Sequence, residues 1–196
     1  MSRLLIATTN RGKQDEFRRL LADLDAELVV PDDVGLDLDV AEPHDTYAEN
    51  ADAKAEAYAG TSGLVSLADD SGIEIAALDW GPGVRSARWG GGRNAERVLE
   101  ALGSETDRRA RMVCAVAVAT PAASGPDVEV FTGVVEGRIA DAMRGAGGFG
   151  YDPVLQPVGE ERSCAELSPE EKNAISHRGK AFRALLPAIV EALART

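Results

Sequence analysis

Two aspartates stand side by side between two apolar runs. Leu64-Val65-Ser66-Leu67 leads into Ala68-Asp69-Asp70-Ser71-Gly72, and Ile73 to Leu78 follows. Apolar runs of this length, separated by turn residues, read as buried strands, so the pentapeptide reads as a tight turn where two core strands meet. Adjacent like charges at a strand end repel. Burying them costs stability unless a cation or hydrogen-bond donors offset the charge. Asp, Ser and Gly are also ordinary turn residues. The segment is therefore either a solvated turn or a site for a divalent metal and an activated water.

The chain before this point alternates strand and helix. Arg3 to Thr8 reads as a strand, and a helix runs from about Lys13 to Leu24 with Phe17, Leu20, Leu21 and Leu24 on one face. Between them lies Thr8-Thr9-Asn10-Arg11-Gly12-Lys13. Free backbone N–H groups and the helix dipole make such a loop an anion site, and Lys13 adds a point charge for phosphate. It is not a P-loop, because Gly12-Lys13 is followed by Gln14; a plain helix N-cap is the competing reading. Glu27 to Val30 is a second short strand. The acidic stretch Asp32 to Asp45 reads largely as solvated loop. A helix starts at Asp45 or Thr46, with Thr46 and Glu49 as a capping box. Tyr47, Ala51, Ala55 and Tyr58 mark its apolar stripe. Asn50 and Lys54, four apart, share a neighbouring face that points either to solvent or to a site.

After the aspartates, Gly81 to Gly90 reads as a loop in which Ser86 and Arg88 are ligand groups or surface polar residues. A helix follows from Asn94 to Leu102, ended by Gly103. Met112 to Ala119 and Val128 to Val135 read as an antiparallel pair, with Gly137 to Ala140 as a third strand. Residues 145–150 match G-x-G-x-x-G. No helix is expected after them, and Pro153 to Leu155 looks extended, so the dinucleotide reading is rejected. Phe149, Gly150, Tyr151 and Asp152 suit a clamp for a flat ring, or else a core-facing aromatic turn. Ser168-Pro169-Glu170-Glu171 opens a helix with a capping box that carries Lys172. Ser176-His177-Arg178-Gly179 makes a cationic corner before a last helix. Phe182, Leu185, Leu186, Ile189, Val190 and Leu193 form that helix's predicted buried face, and Pro187 is expected to interrupt it, kinking it or leaving one carbonyl unpaired.

Composition narrows the classes. The 196 residues suit one large domain or two small lobes. No apolar run approaches the roughly 20 residues of a membrane span, and the N-terminus has no room for a signal peptide before its first motif, so a cytoplasmic protein is expected. A net charge of -12 disfavours nucleic acid and acidic membranes. A polyanionic ligand would need locally gathered positive charge. The chain has only four lysines, and three of them, Lys13, Lys54 and Lys172, fall in the segments above. Cys114 and Cys164 show no metal-ligand spacing.

These segments together resemble the inosine triphosphate pyrophosphatase family, the noncanonical purine nucleoside triphosphate (dITP/XTP) pyrophosphatases. The resemblance covers nearly the whole chain. It rests on Thr8 to Lys13, Glu49-Asn50-Ala51 with Lys54, Ala68 to Gly72, Pro82-Gly83-Val84 with Ser86-Ala87-Arg88, Gly148 to Pro153, and Glu171-Lys172-Asn173 with Ser176 to Gly179. It implies an α/β fold over 1–196, elongated and two-lobed, with a long mixed central sheet flanked by helices and the active site in the cleft. It implies hydrolysis of ITP, dITP and XTP to the monophosphate and pyrophosphate with Mg2+, by attack at the α-phosphorus, and a homodimer. By match to the family's pattern, Thr8, Thr9, Asn10, Arg11, Gly12, Lys13, Ser71, Phe149, Gly150, Tyr151, Asp152, Lys172, His177 and Arg178 contact substrate. Glu42 and Asp70 bind metal, and Asp70 accepts the proton. Lys54 joins Lys13 in holding the triphosphate. The stretch between Glu42 and Thr46 is one residue shorter than the family's usual form. Two rival readings are a related pyrophosphatase acting on modified pyrimidine nucleotides and a nucleotide sensor that does not hydrolyse.

Overall fold

The computed structural model describes residues 2–196. In chain order the elements are β1 (Arg3–Ile6), α1 (Arg11–Leu20), β2 (Glu27–Val29), α2 (Tyr47–Ser62), β3 (Val65–Ile75), β4 (Gly81–Pro82), α3 (Ser86–Trp89), α4 (Asn94–Leu102), β5 (Arg109–Thr120), β6 (Asp127–Ile139), β7 (Leu155–Pro157), α5 (Pro169–Ile175) and α6 (His177–Ala194). Seven strands form one sheet in the order β2-β1-β3-β5-β6-β7, with β4 paired to β3. The sheet is mixed: β1 runs parallel to both β2 and β3, whereas β4 is antiparallel to β3 and β7 to β6. Helices α1 and α2 make the crossovers that parallel neighbours require. In β1 the consecutive residues Leu4, Leu5 and Ile6 are all fully buried, the continuous apolar run expected of a parallel strand covered on both faces.

The chain divides into two compact units. The first comprises the residues up to Asp70 with Ala115–Thr132 and Ala181–Thr196; the second comprises Ser71–Cys114 and Gly133–Lys180. The first unit buries Phe17 of α1, Ala51, Ala55 and Tyr58 of α2, and Phe182, Leu185 and Ile189 of α6. In the second, Ile73 and Ile75 of β3 share a core with Val98 and Leu102 of α4 and with Val154 and Leu155. No helix among the described residues is long and apolar enough to cross a membrane.

Several sequence expectations are corrected here. Ala68 to Gly72 is not a turn; it is the middle of β3, one strand from Val65 to Ile75, after which Ala76–Leu78 coils into a 3-10 turn. Successive strand side chains point to opposite faces, so a strand separates two adjacent carboxylates that a turn would crowd. Gly81 to Gly90 is not a plain loop either, since it contains β4 and α3. Gly137 to Ile139 belongs to β6 rather than forming a strand of its own. Tyr151 to Val154 is a turn, and the extended segment starts at Leu155. Helix α1 starts two residues before Lys13, because the Asn10 side chain caps it, and ends at Leu20. On α6, Leu186 and Val190 are exposed, at 36% and 52%, and the helix continues through Pro187. The apolar pattern overstated the width of its buried face.

Candidate active site

In the first unit, the loop after β1 is held by its own side chains. Thr8 Oγ1 accepts from the Asn10 N–H at 3.3 Å, and Gln14 Nε2 donates to the Thr8 carbonyl at 2.8 Å. Asn10 Oδ1 accepts from the Lys13 N–H at 3.1 Å, so Asn10 caps α1. Thr9, Asn10 and Arg11 stay exposed at the helix N-terminus, with Gly12 half-buried beside them.

From α1, Lys13 Nζ reaches Asp69 Oδ1 at 3.0 Å, and the Asp69 carboxylate is completely buried. From α2, Lys54 Nζ pairs with Glu42 and donates to the Asp69 carbonyl at 3.0 Å. Thr46 caps α2, accepting from the Glu49 N–H, and its hydroxyl donates to the Glu49 carboxylate at 2.7 Å. That keeps Glu49 on the capping turn. Asn50 is not a solvent-facing residue: it is 1% exposed and donates to Asp70 Oδ2 at 3.0 Å. Three carboxylates thus meet two lysines and one amide.

The Asp70 carboxyl is raised above the ordinary aspartate range. Burial is the main cause and the Glu42 charge adds to it, while Asn50, Lys13 and Lys54 hold it down. Burial works to lower the Lys54 ammonium, but Asp69 and Glu42 outweigh it and the net shift is upward. A buried carboxyl with a raised pKa is a better base than a solvated one, and such groups mark functional sites more often than chance. Glu42 and Asp70 also test the expected Mg2+. Among the described residues no group of three or more His, Cys, Asp or Glu side chains could hold a metal by itself. Mg2+, however, commonly takes one or two carboxylates and completes its shell with water and substrate phosphate. An acidic pair in which the Glu42 charge helps to raise the Asp70 carboxyl fits that donor set.

In the second unit, the glycine-rich turn before β7 closes around Asp152. Its Oδ2 accepts from the Phe149 N–H at 2.7 Å and from Lys172 Nζ at 2.6 Å. Gly148 has φ +68°, and a Cβ there would collide with the Asp152 carboxylate, so this position admits little but glycine. Lys172 Nζ lies 5.1 Å and the Arg178 guanidinium 5.7 Å from the centre of the Phe149 ring, both cations set over its π face. Arg178 Nη2 donates to Ser71 Oγ at 3.1 Å.

Ser168 caps α5 in a full capping box with Glu171, as expected. The corner into α6 is tight: a Cβ on Gly179 would strike the Asn173 carbonyl, and the Gly179 N–H donates to Ser176 Oγ at 3.1 Å. His177 and Arg178, 3% and 2% exposed, therefore occupy the first turn of α6. A helix dipole disfavours cations at its N-terminus. Arg178 is buried there against the dipole, a placement that does not favour stability.

Tyr151 and Ser86 turn inward. The Tyr151 hydroxyl donates to the Ser86 carbonyl at 2.7 Å, and burial pushes its pKa up to about 12. Ser86 is 1% exposed; it accepts from the Ile73 N–H at 2.9 Å and also bonds the Gly83 carbonyl, so it is neither a ligand group nor a surface residue. Gly150 remains exposed beside Phe149. Sequence reading left two participants without a role. Asn50 stood in the Glu49-Asn50-Ala51 motif and shared a face with Lys54, and Asp69 stood beside Asp70.

The Ham1 family's sequence profile matches residues 4–188. The chain is 48% identical to a dITP/XTP pyrophosphatase of Streptomyces coelicolor, over 98% of this chain and all of that one. It is 41% identical to a dITP/XTP pyrophosphatase of Staphylococcus aureus, over 94% of this chain and 95% of that one. A HAM1 protein of Coxiella burnetii superposes with a TM-score of 0.83 at 40% identity, covering 97% of this chain and 100% of the other.

Proposed function

This chain belongs to the Ham1 family, and from that premise we propose that it hydrolyses noncanonical purine nucleoside triphosphates (dITP, XTP and ITP) to the monophosphate and pyrophosphate. The observation that carries the reading is the buried Asp70 carboxylate, raised in pKa and ringed by Glu42, Asn50, Lys13 and Lys54. Relatives of this name align end to end with the chain, and that supports the choice of reaction.

The reaction assigned to these residues is a displacement at the α-phosphorus. Water adds to phosphorus, its proton passes to Asp70, and the bond to the oxygen bridging the α- and β-phosphates breaks to release pyrophosphate. Lys13, Lys54 and the N-terminal turn of α1 grip the phosphate chain and stabilise the charge that moves onto the leaving group. Glu42 and Asp70 would hold Mg2+, which when bound neutralises phosphate charge and acidifies water. No covalent nucleophile is required.

The base falls to Phe149, Lys172, His177 and Arg178. A flat ring stacks on Phe149, and donors at the His177–Arg178 corner pair with the 6-oxo group of hypoxanthine or xanthine. Adenine carries a 6-amino donor there and would leave buried donors unpaired, which supports discrimination of about 10,000-fold or more. Guanine shares the 6-oxo group, so its rejection acts elsewhere on the ring.

The test is pyrophosphate release from dITP, XTP, ITP, dATP, dGTP and dTTP, each with Mg2+ and with EDTA. The expected result is Mg2+-dependent pyrophosphate from the first three and little from dATP. Release of single phosphates, equal rates on all purines, or a preference for dTTP would overturn the reading.

A further inference from the structure

One buried side chain links the Asp70 carboxylate to the segment that carries Glu42. Asn50, on the first turn of α2, makes three hydrogen bonds with its amide. Its Oδ1 accepts from the His44 N–H at 3.0 Å. Its Nδ2 donates to the His44 carbonyl at 3.2 Å and to Asp70 Oδ2 at 3.0 Å. His44 itself is exposed, so what Asn50 grips is the backbone two residues after Glu42. The residues from Leu36 to Asp45 have no helix or strand to fix them. Glu42 lies in an irregular segment and Asp70 in the middle of a strand, and Asn50 bonds to that segment at the His44 backbone and to Asp70 itself.

We infer that Asn50 is a positioning residue that sets the distance between the Glu42 and Asp70 carboxylates. The inference rests on the reading of that pair as the hydrolytic centre. Three features support it. An amide that spends its acceptor and both N–H groups on fixed partners is geometrically pinned, as a side chain that must define a distance should be. An Asn within a helix, past its cap, is otherwise a poor choice, since its short polar side chain competes with the helix's own hydrogen bonds, so its placement reflects these partners. The bond from Asn50 Nδ2 to Asp70 Oδ2 fixes the orientation of that carboxylate. Lys54, one turn further along α2, holds the Glu42 carboxylate itself. The two residues therefore act on one segment from one helix face, Asn50 on its backbone and Lys54 on its acid.

The experiment compares Asn50→Leu, which keeps the branched shape at a larger volume and loses all three bonds, with Asn50→Ala, which loses the shape and the bonds. Steady-state hydrolysis of dITP with Mg2+ gives kcat and KM. Mn2+ binding without nucleotide, followed by electron paramagnetic resonance, gives a readout that needs no turnover. Thermal melting reports the fold. The expected result is a kcat lower by about 10–100-fold with KM within about threefold, and Mn2+ bound about tenfold more weakly, the range typical when a group orienting a ligand is removed. Glu42→Gln should cost less in the Asn50→Ala background than in the wild type, because Glu42 is already displaced there. A kcat within about twofold of wild type, a loss carried by KM alone, additive effects with Glu42→Gln, or the loss of cooperative melting in both variants would overturn the inference. If the wild-type chain releases no pyrophosphate from dITP, the functional reading fails instead, and Mn2+ affinity in the two variants still decides the role of Asn50.

Discussion

The Asp70 group of the first unit and the Asp152 group of the second are built from the same materials to opposite ends. Each buries an aspartate beside a lysine on a helix. Around Asp70, three carboxylates face two lysines, and the surplus is negative. Around Asp152, one carboxylate faces Lys172 with Arg178 close by, and the surplus is positive. A site short of positive charge is completed by a cation, and a site rich in buried donors is completed by an acceptor. The difference teaches that a buried acid–lysine contact says little until the whole local charge is counted, because such a pair can be neutral in stability by itself.

The sharpest way to break the comparison is Asp70→Asn. Turnover should fall by about 100–10,000-fold, the usual worth of a general base, while binding of an unhydrolysed dITP analogue, measured by calorimetry, persists. The same variant should be more stable than the wild type in Mg2+-free buffer at neutral pH. Asp70 holds its proton more tightly folded than unfolded, so its contribution to stability is intact at low pH and is lost as pH rises through the raised value. The gain of the variant should shrink below that value; a melting temperature lower than wild type at every pH would contradict the charge assignment.

Next in size is Lys172→Met, which leaves the Asp152 carboxylate buried without its cation. A loss of about 3–5 kcal/mol is expected in denaturant unfolding, larger than the effect on dITP chemistry once the variant is folded. Arg178→Ala should lower kcat/KM on dITP by about 10–100-fold and on dATP by much less, the worth of one charged hydrogen bond. Equal losses on both would remove Arg178 from base reading. The smallest effect belongs to Arg162→Ala. Its pairs with Glu160 and Glu171 resemble the Lys172–Asp152 contact in chemistry but lie in solvent, so the melting temperature should not move measurably.

How far the sequence reached differed between the helix ends and the acidic pair. Helix α4 ends where Gly103 predicts, and α5 starts where Ser168 and Pro169 predict, because caps are local and their residues name themselves. The same locality holds for Thr46, which caps α2 where its position predicts. Asp69 and Asp70 were misread as a turn, since turn composition is only a correlate and β3 overrides it with a ladder that runs through both acids. Leu186 and Val190 fitted the apolar period of α6 but face solvent, because periodicity gives a stripe and not its width.

Residue types and spacings by themselves determined the strand–helix alternation at the start of the chain and the capped ends of α2, α4 and α5. Each of these follows from contacts within a few residues. Only the tertiary structure decided that Asp69 and Asp70 take different partners, that Asn50 is buried against Asp70, that Tyr151 turns inward to Ser86, and that Arg178 reaches back to Ser71 across more than a hundred residues. Those outcomes depend on which distant segments share a buried space, where every donor must find an acceptor, and the chain's local order carries no record of that pairing.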